Sequence, residues 1–213
     1  MLGTGGAGAA GPGGPQACGP ATCPGGCCNG NNCVTANRTN RRCGTGGVAC
    51  SACGSCFQCT TGVCQVDPES RWTVVCASAT VTPTRAGAIW DPSGPGIRGI
   101  LRSLGLGDGP LPDPFCELRL GGSPESQTSD QLDTLDPEWN ESISPSDNGL
   151  LASELMSPAT HWTVFVGDDD GQRQVEDICE VSLLPTEIDF RTGQMTFTNQ
   201  QSCTSLTIGL TCR

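Results

Sequence analysis

The strongest structural signal in the chain is the stretch WTVVCASATV at residues 72–81, where large and small side chains alternate around Trp72, Val74 and Cys76. A period of two residues is typical of a β-strand with one buried face. Similar short runs, bounded by clusters of Pro, Gly, Asp and Ser, follow at 115–120, 161–166, 178–184, 195–198 and 206–211. This spacing, without helical runs, predicts a mainly-β fold, an antiparallel β-sandwich of roughly eight strands. The segments 86–112 and 121–148 are expected to be loops, or to hold one strand each.

Towards the N-terminus the composition changes. Residues 1–17 are rich in Gly, Ala and Pro, which indicates a disordered linker. Residues 18–66 hold 11 of the 16 cysteines and few large apolar residues. A region this small and this poor in apolar residues needs cross-links or metal in order to fold. We therefore predict three parts: the linker 1–17, a small loop-dominated cysteine-rich module at 18–66, and the sandwich at 72–213.

The cysteine-rich module could be held by metal or by disulfides. Cys50, Cys53, Cys56 and Cys59 are separated by two residues each, a spacing that also occurs in metal sites. The bacterial ferredoxin run, however, ends with a longer spacing and a proline, whereas Thr60 follows Cys59 here. Structural zinc sites need two separated pairs or histidine partners, and these cysteines do not sort into such pairs. We therefore predict disulfides, which form in oxidising compartments.

Disulfides at this density indicate an exported protein at the cell surface, in the envelope or outside the cell. The start MLGTGGAGAAGPGGP has neither the charged nor the apolar region of a signal peptide, so we expect the export signal upstream of it. Both cysteine counts, 11 in the module and five in the sandwich, are odd. Complete pairing would then require at least one bridge between the two regions, and we choose Cys76, in the first strand, as its partner in the sandwich.

The charge of the chain limits its partners. The net charge is −11, and residues 67–213 hold all 22 acidic residues against eight basic ones, a net charge of −14. Such a domain repels phosphate backbones, which argues against nucleic acid, and it lacks the Lys/Arg clusters that recognise anionic lipid directly. It attracts cations instead. No apolar run reaches the ~20 residues that a membrane-spanning helix needs.

Aspartates cluster where the predicted strands begin or end. Asp168, Asp169 and Asp170 directly follow one strand, Asp177 comes seven residues later, and Asp113 opens another strand. Ca²⁺ prefers about six to eight oxygen ligands in flexible geometry, which suits such loops. Alternate residues of an extended stretch point the same way, so Asp168 and Asp170 can face one ion. Each aspartate alone is also compatible with a solvated turn, because Asp favours turns through local hydrogen bonds.

These motifs together resemble the C2 family of calcium- and lipid-binding β-sandwiches. The resemblance covers about residues 72–213 and rests on WTVVCASATV at 72–81, PDPFCEL at 112–118, DPEWNE at 136–141, VGDDD at 166–170 and EDI at 176–178, in family order. The preceding module more loosely resembles the cysteine-rich regions of bacterial exported proteins, in motifs such as CPGGCC and CGTGGVAC.

The C2 resemblance implies a Ca²⁺ cofactor with Asp91 and Asp113 as ligands in the first loop and Asp168, Asp170 and Asp177 in the third. Asp91 and Asp113 lie 22 residues apart, further than is usual, and Asp108 is the alternative first ligand. The third loop also has one extra residue before the last ligand. Within DPEWNE, the residues Glu138, Trp139, Asn140 and Glu141 are interpreted as structural, and Asp133 lies outside these motifs.

The insertion between Asp91 and Asp113 carries a second pattern. Its apolar residues are spaced i, i+3, i+4 and i+7, which predicts one face of a short helix formed by Ile97, Ile100, Leu101 and Leu104. This face could contact lipid or a partner next to the calcium site. It could equally pack on the edge of the sandwich, since apolar helix stripes usually face a core.

Nothing in the sequence predicts an enzyme. His161 is the only histidine, and no nucleophile motif accompanies it. We expect a calcium-dependent binding module of an exported, surface-tethered protein, whose calcium bridges the Asp-rich loops to anionic phospholipid or to an acidic polymer. The alternative is a calcium-independent structural or adhesion protein of the cell envelope that is stabilised by disulfides.

Overall fold

The computed structural model describes residues 17–35, 39–84, 90, 111–169 and 175–213 of the chain. The chain divides into two units, Met1–Gln65 and Val66–Arg213, which we call the disulfide unit and the sandwich. Each is described by itself below.

The disulfide unit consists of short hairpins held by cross-links. Two strands pair in its first hairpin, β1 (Cys27–Asn29) and β2 (Asn32–Val34), and two in its second, β3 (Phe57–Thr60) and β4 (Val63–Val66). Its described bridges are Cys18–Cys28, Cys23–Cys33, Cys27–Cys50, Cys43–Cys59 and Cys53–Cys64. Among the described residues up to Gln65, the buried hydrophobic side chains are those of Cys23, Cys27 and Cys43, so cross-links occupy the place of a core.

The sandwich consists of two antiparallel sheets. Its strands are β5 (Arg71–Val81), β6 (Pro114–Leu120), β7 (Ser123–Gln127), β8 (Glu138–Ser142), β9 (Leu150–Leu151), β10 (Trp162–Asp169), β11 (Val175–Ser182), β12 (Gln194–Gln200) and β13 (Cys203–Cys212). One sheet has the order β11-β10-β6-β7, and the other has the order β12-β13-β5-β8, with β9 also paired to β5. Two short helices, α1 (Ala152–Leu155) and α2 (Glu187–Thr192), lie in connections.

The core lies between the two sheets. The central strands β5, β6, β10 and β13 supply most of its buried side chains, among them Val74, Leu118, Val164 and Leu206, each 0% exposed. Burying one such side chain contributes about 1.5–3 kcal/mol, which makes this burial the main source of stability. Two disulfides cross from sheet to sheet, Cys76–Cys116 between β5 and β6 and Cys179–Cys203 between β11 and β13. Their Cα–Cα distances of 6.3 and 5.8 Å bring the sheets closer there than the ~10 Å usual for stacked sheets.

The fold class predicted from the sequence is confirmed, a mainly-β antiparallel sandwich preceded by a disulfide-rich unit. Eight strands have four or more residues within the described part of the sandwich, and β9 adds two residues paired to β5. The choice of disulfides over metal is also confirmed, and no described cysteine is free. The choice of Cys76 as a bridge to the cysteine-rich module was wrong, because Cys76 pairs with Cys116 across the core. A bridge between the two regions stays a prediction from parity.

Candidate metal site

Two neighbouring strands bring Asp113 and Asp168 into contact. Asp113 directly precedes β6, whose first residue Pro114 lies opposite Asp168 of β10. The backbone N–H of Asp113 donates to Asp168 Oδ1 over 2.6 Å, and the N–H of Asp169 donates to the Asp113 carbonyl over 3.2 Å. Asp168 is 1% exposed. Because antiparallel pairing puts the start of one strand beside the end of the other, carboxylates far apart in sequence meet at one end of the sheet.

A third segment reaches the same place. Residues 128–137, which we call the acidic loop, run beside the start of β6. The backbone N–H groups of Gln131 and Thr134 donate to the carbonyls of Pro114 and Pro112, each over 3.0 Å. These main-chain bonds fix the acidic loop next to Asp113.

The acidic loop brings two aspartates to this place, Asp130 and Asp133, that the sequence motifs do not contain. The N–H of Asp133 donates to Asp113 Oδ1 over 2.6 Å, from a backbone with a φ of 51°. Burial raises the pKa of Asp130, and the nearby charges of Asp169 and Asp113 raise it further. A carboxyl whose pKa is raised by its neighbours lies in a negative field, which a cation would relieve. Asp133, which the motifs leave outside, is therefore in direct contact with the site.

Asp177 lies across β10 from this group. It pairs with Gly167, Glu176 pairs with Asp168, and Val175 pairs with Asp169. Because successive side chains in a strand point to opposite faces, Asp177 shares its face of the sheet with Asp169, and Asp168 lies on the other. The predicted ligands Asp168 and Asp177 thus lie on opposite faces of the sheet, and Asp169 is a further candidate ligand on the face of Asp177.

Several predicted residues lie outside the described part of the chain. Asp170 and Asp91, its alternative Asp108, and the apolar face of the insertion all fall there; that face is Ile97, Ile100, Leu101 and Leu104. Trp90, directly before Asp91, is described: it is 0% exposed, and its Nε1–H donates to the carbonyl of Thr82 over 2.8 Å.

The structural interpretation of DPEWNE agrees with the geometry. Trp139 of β8 is 6% exposed, and its Nε1–H donates to the carbonyl of Pro114 over 3.3 Å. Glu141 Oε2 accepts from the N–H of Ser129 over 2.9 Å, which anchors the start of the acidic loop to β8. These residues hold the segments that carry the aspartates.

Two exposed apolar side chains border the aspartates. Leu132 is 75% exposed and precedes Asp133 in the acidic loop, and Val175 is 50% exposed and pairs with Asp169. Neither was predicted from the sequence, since a single Leu in a loop or a single Val at the start of a strand carries no pattern. Their position gives the acidic end of the sandwich an apolar margin.

Other metal-binding candidates are accounted for within the described residues. The groups of three or more ligand atoms found there within 4.8 Å of one another are Cys18, Cys23 and Cys28, and Cys43, Cys53 and Cys64; the carboxylates of the aspartates above lie, as a group, further apart than this. All six sulfurs are in disulfides, which removes the thiolates that zinc would need. His161 precedes β10 at its other end, about 20 Å from Asp168 by the rise of a strand. No described helix is long and apolar enough to cross a membrane.

Comparison with known proteins yields structural similarity alone. No family model and no curated protein sequence matches the chain. Among solved structures, it is similar to the calcium-bound pair of C2 domains of Extended-Synaptotagmin 2 (14% identity, TM-score 0.45, covering 68% of this chain and 46% of that one). It is also similar to human GIVD cytosolic phospholipase A2 with an inhibitor and terbium chloride (16%, 0.41, 67% and 17%) and to a C2 domain (10%, 0.42, 67% and 97%).

The resemblance to C2 domains predicted from the sequence thus recurs among solved structures. The chain spans less than half the length of the first two of these proteins. At identities of 10–16% and TM-scores of 0.41–0.45, these similarities carry no functional argument.

Proposed function

We propose that this chain is a calcium-dependent binding module of an exported, surface-tethered protein. The observation that carries the proposal is that Asp113, Asp130 and Asp169, from three separate segments, share one negative field at one end of the sandwich, beside the buried Asp168. Carboxylate and main-chain oxygens on loops are the donors that Ca²⁺ takes, and a group of like charges persists best when a cation offsets it.

The donor set fits calcium better than a transition metal. The described side chains at this end offer oxygens only, and imidazole or thiolate ligands are absent among them. Hard oxygen ligands suit Ca²⁺ and Mg²⁺, and the flexible, multi-segment arrangement suits Ca²⁺, because Mg²⁺ demands near-ideal octahedral geometry. Asp113 and Asp169 would hold the ion with Asp177. The C2 resemblance implies Asp168 in place of Asp169, together with Asp91 and Asp170.

The apolar margin supports contact with a surface. Once an ion neutralises the aspartates, the exposed Leu132 and Val175 can approach an interface without burying uncompensated charge. Calcium would then bridge the acidic end to the phosphates of anionic phospholipid or to an acidic polymer. The disulfides of the chain are consistent with a protein that functions in an oxidising, extracellular environment.

One observation favours the calcium-independent alternative, a structural or adhesion protein of the envelope. Asp168 Oδ1 and Asp113 Oδ1 each accept a hydrogen bond from a backbone N–H, so each carboxylate also links two segments of the chain. Hydrogen bonds of this kind stabilise a carboxylate without any ion.

Calorimetric titration with CaCl₂, with EDTA as the control, separates the two functions. The proposal expects a Kd of about 10⁻⁴–10⁻³ M, the range of extracellular modules. Asp113→Asn keeps an oxygen that can accept the N–H of Asp133 but removes the charge, and should weaken binding by roughly tenfold or more. Asp147→Asn removes the same charge from an exposed turn between β8 and β9 and should leave the Kd unchanged. Absence of calcium binding by the unmodified protein would reject the proposal in favour of the alternative.

A further inference from the structure

Two cysteines, Cys56 and Cys212, do not take part in the bridges given above. Those seven bridges use 14 of the 16 cysteines of the chain. The two that remain belong to different regions, since Cys56 directly precedes β3 and Cys212 is the last residue of β13. Each region therefore has one cysteine left after its internal bridges, as the odd counts of 11 and five require.

Neither of these two sulfurs is a thiol. Cys56 and Cys212 are both disulfide-bonded, and no described cysteine is free. All 16 cysteines of the chain lie within the described residues, so the partners have to be found among them. Because each of the other 14 already has its own partner, elimination leaves Cys56 and Cys212 for each other. Parity requires a bridge between the two regions, and elimination identifies its two ends.

We propose that Cys56 and Cys212 form one disulfide that covalently joins the disulfide unit to the sandwich. The two thiols form it by exchange with an external disulfide, which accepts their two electrons and two protons and leaves as two thiols. An oxidising compartment supplies such disulfides, as it does for the other bridges of the chain. The bond does not depend on calcium.

The length of the chain permits this bond. Cys212 pairs with Trp72 in the register of β13 and β5, beside the point where the chain enters the sandwich. Cys56 precedes Trp72 by 16 residues, which span up to about 55 Å when fully extended. The Cα atoms of a disulfide lie only about 4.4–6.8 Å apart. The chain between Cys56 and β5 therefore places no limit on the pairing of Cys56 with Cys212.

The bond gives the sandwich a second covalent attachment besides residues 67–70, which connect β4 to β5. A protease that cuts this connection would leave the two parts of the chain joined, which matters for an exported protein. Both attachments reach the sandwich at the start of β5, where Trp72 pairs with Cys212. The acidic loop lies at the other end of this strand of 11 residues, where the N–H of Val81 donates to the Leu135 carbonyl over 2.7 Å. The attachments are therefore about 30 Å along β5 from the acidic loop.

Cleavage of the connection 67–70 tests the bond in the full chain. A recognition site for a sequence-specific protease is inserted after Pro68, and the folded, oxidised protein is cut and measured by mass spectrometry before and after reduction. The expected result is a cut chain that keeps the mass of the whole chain until a reductant divides it into two fragments. Fragments that separate without reductant would overturn the proposal. A non-reduced product with the mass of two chains would also overturn it, because the bond would then link two copies.

Paired substitutions identify the ends of the bond. With Cys56→Ser and Cys212→Ser together, the cut chain should divide without reductant. With Cys179→Ser and Cys203→Ser together, which remove a bridge inside the sandwich, the cut chain should stay whole until it is reduced. If the first double variant stays whole after cutting, another pair of cysteines joins the two regions and the assignment is overturned.

Peptide mapping of the unmodified protein gives the same answer without any variant. Digestion with pepsin at acidic pH keeps the bridges in place, because exchange needs a thiolate and thiolates are scarce there. Tandem mass spectrometry should find the peptide of Cys56 linked to the peptide of Cys212. A peptide that links Cys212 to any other cysteine, or that contains it as a thiol, would overturn the proposal.

Discussion

The two units of this protein reach a stable fold by opposite routes. The disulfide unit has five described bridges and buries little apolar surface besides its cysteines. The sandwich buries aliphatic and aromatic residues on both sheets and adds two bridges that cross its core. Cross-links act mainly by restricting the unfolded chain, whereas a core stabilises the folded one. The same chemical bond should therefore be indispensable in one unit and supplementary in the other.

The largest effect should come from removing matched disulfides. Replacing Cys43 and Cys59 by Ala removes a bridge that closes 16 residues and should unfold the disulfide unit, because no core remains to offset the loss. Replacing Cys179 and Cys203 by Ala removes about 3 kcal/mol in the chain-entropy model, and should lower the sandwich Tm by roughly 6–12 °C without unfolding it at 25 °C. Amide dispersion in NMR spectra and thermal melts measure both. An equal loss of stability in the two units would show that the sandwich depends on its disulfides as much as the disulfide unit does.

A second substitution tests the core directly. Leu118→Ala empties a position that is 0% exposed between the sheets and should cost about 2–5 kcal/mol, from lost burial and the cavity left behind. Leu120→Ala, two residues further along the same strand and 38% exposed, should change the free energy of unfolding by about 1 kcal/mol or less. Urea denaturation compares them. A similar cost at both positions would mean that the sandwich does not depend on its core.

Calcium should increase the difference in thermal stability between the two units, because the aspartates of the site belong to the sandwich alone. At 10 mM, roughly 10–100 times the expected Kd, calcium should stabilise the sandwich by about 1.4–2.7 kcal/mol and raise its Tm by roughly 3–10 °C. The disulfide unit should not respond. Asp113→Asn should remove most of the rise, and Asp147→Asn should retain it. An unchanged sandwich Tm in wild-type protein would show that the aspartates hold no ion.

The smallest expected effect concerns Asp130 and pH. Burial and the charges of Asp169 and Asp113 raise its pKa in the folded state, so the ionised form is disfavoured by folding. The resulting destabilisation is present above the folded-state pKa and disappears as the pH falls through it, because protonation removes the repelled charge. Without calcium, Asp130→Asn should raise the Tm by about 1–2 °C at pH 7.

The advantage of Asp130→Asn should shrink towards acidic pH, where the wild-type carboxyl is protonated. Added calcium should reverse its sign, since the variant then lacks a charge that the ion attracts. Melting curves over a pH series, with and without EDTA, measure this. A Tm difference that stays constant with pH would show that Asp130 does not experience the field of its neighbours.

The candidate site shows which of its residues a local sequence pattern can predict and which it cannot. Asp113 and Asp168 were predictable, because each borders a strand and the C2-like motifs mark both. Asp130 and Asp133 were not, since they follow Asp113 by 17 and 20 residues in a loop with no motif. Their position depends on main-chain hydrogen bonds, such as that from the Gln131 N–H to the Pro114 carbonyl, which no residue pattern predicts. The predicted insertion face remains a prediction, and so does the role of every predicted ligand, Asp91, Asp113, Asp168, Asp170 and Asp177.

The sequence by itself determined three properties of this protein. The alternation of large and small residues makes the strands, and the cysteine density makes the first unit a cross-linked one. The negative charge of residues 67–213 limits the partners of the sandwich. These are local or compositional properties, readable within a window of a few residues. Only the tertiary structure decided that Cys76 pairs with Cys116 and that the acidic loop contacts Asp113. Each of these depends on which distant strands become neighbours and in which register, and pairing of that kind is fixed by the packing of the whole core.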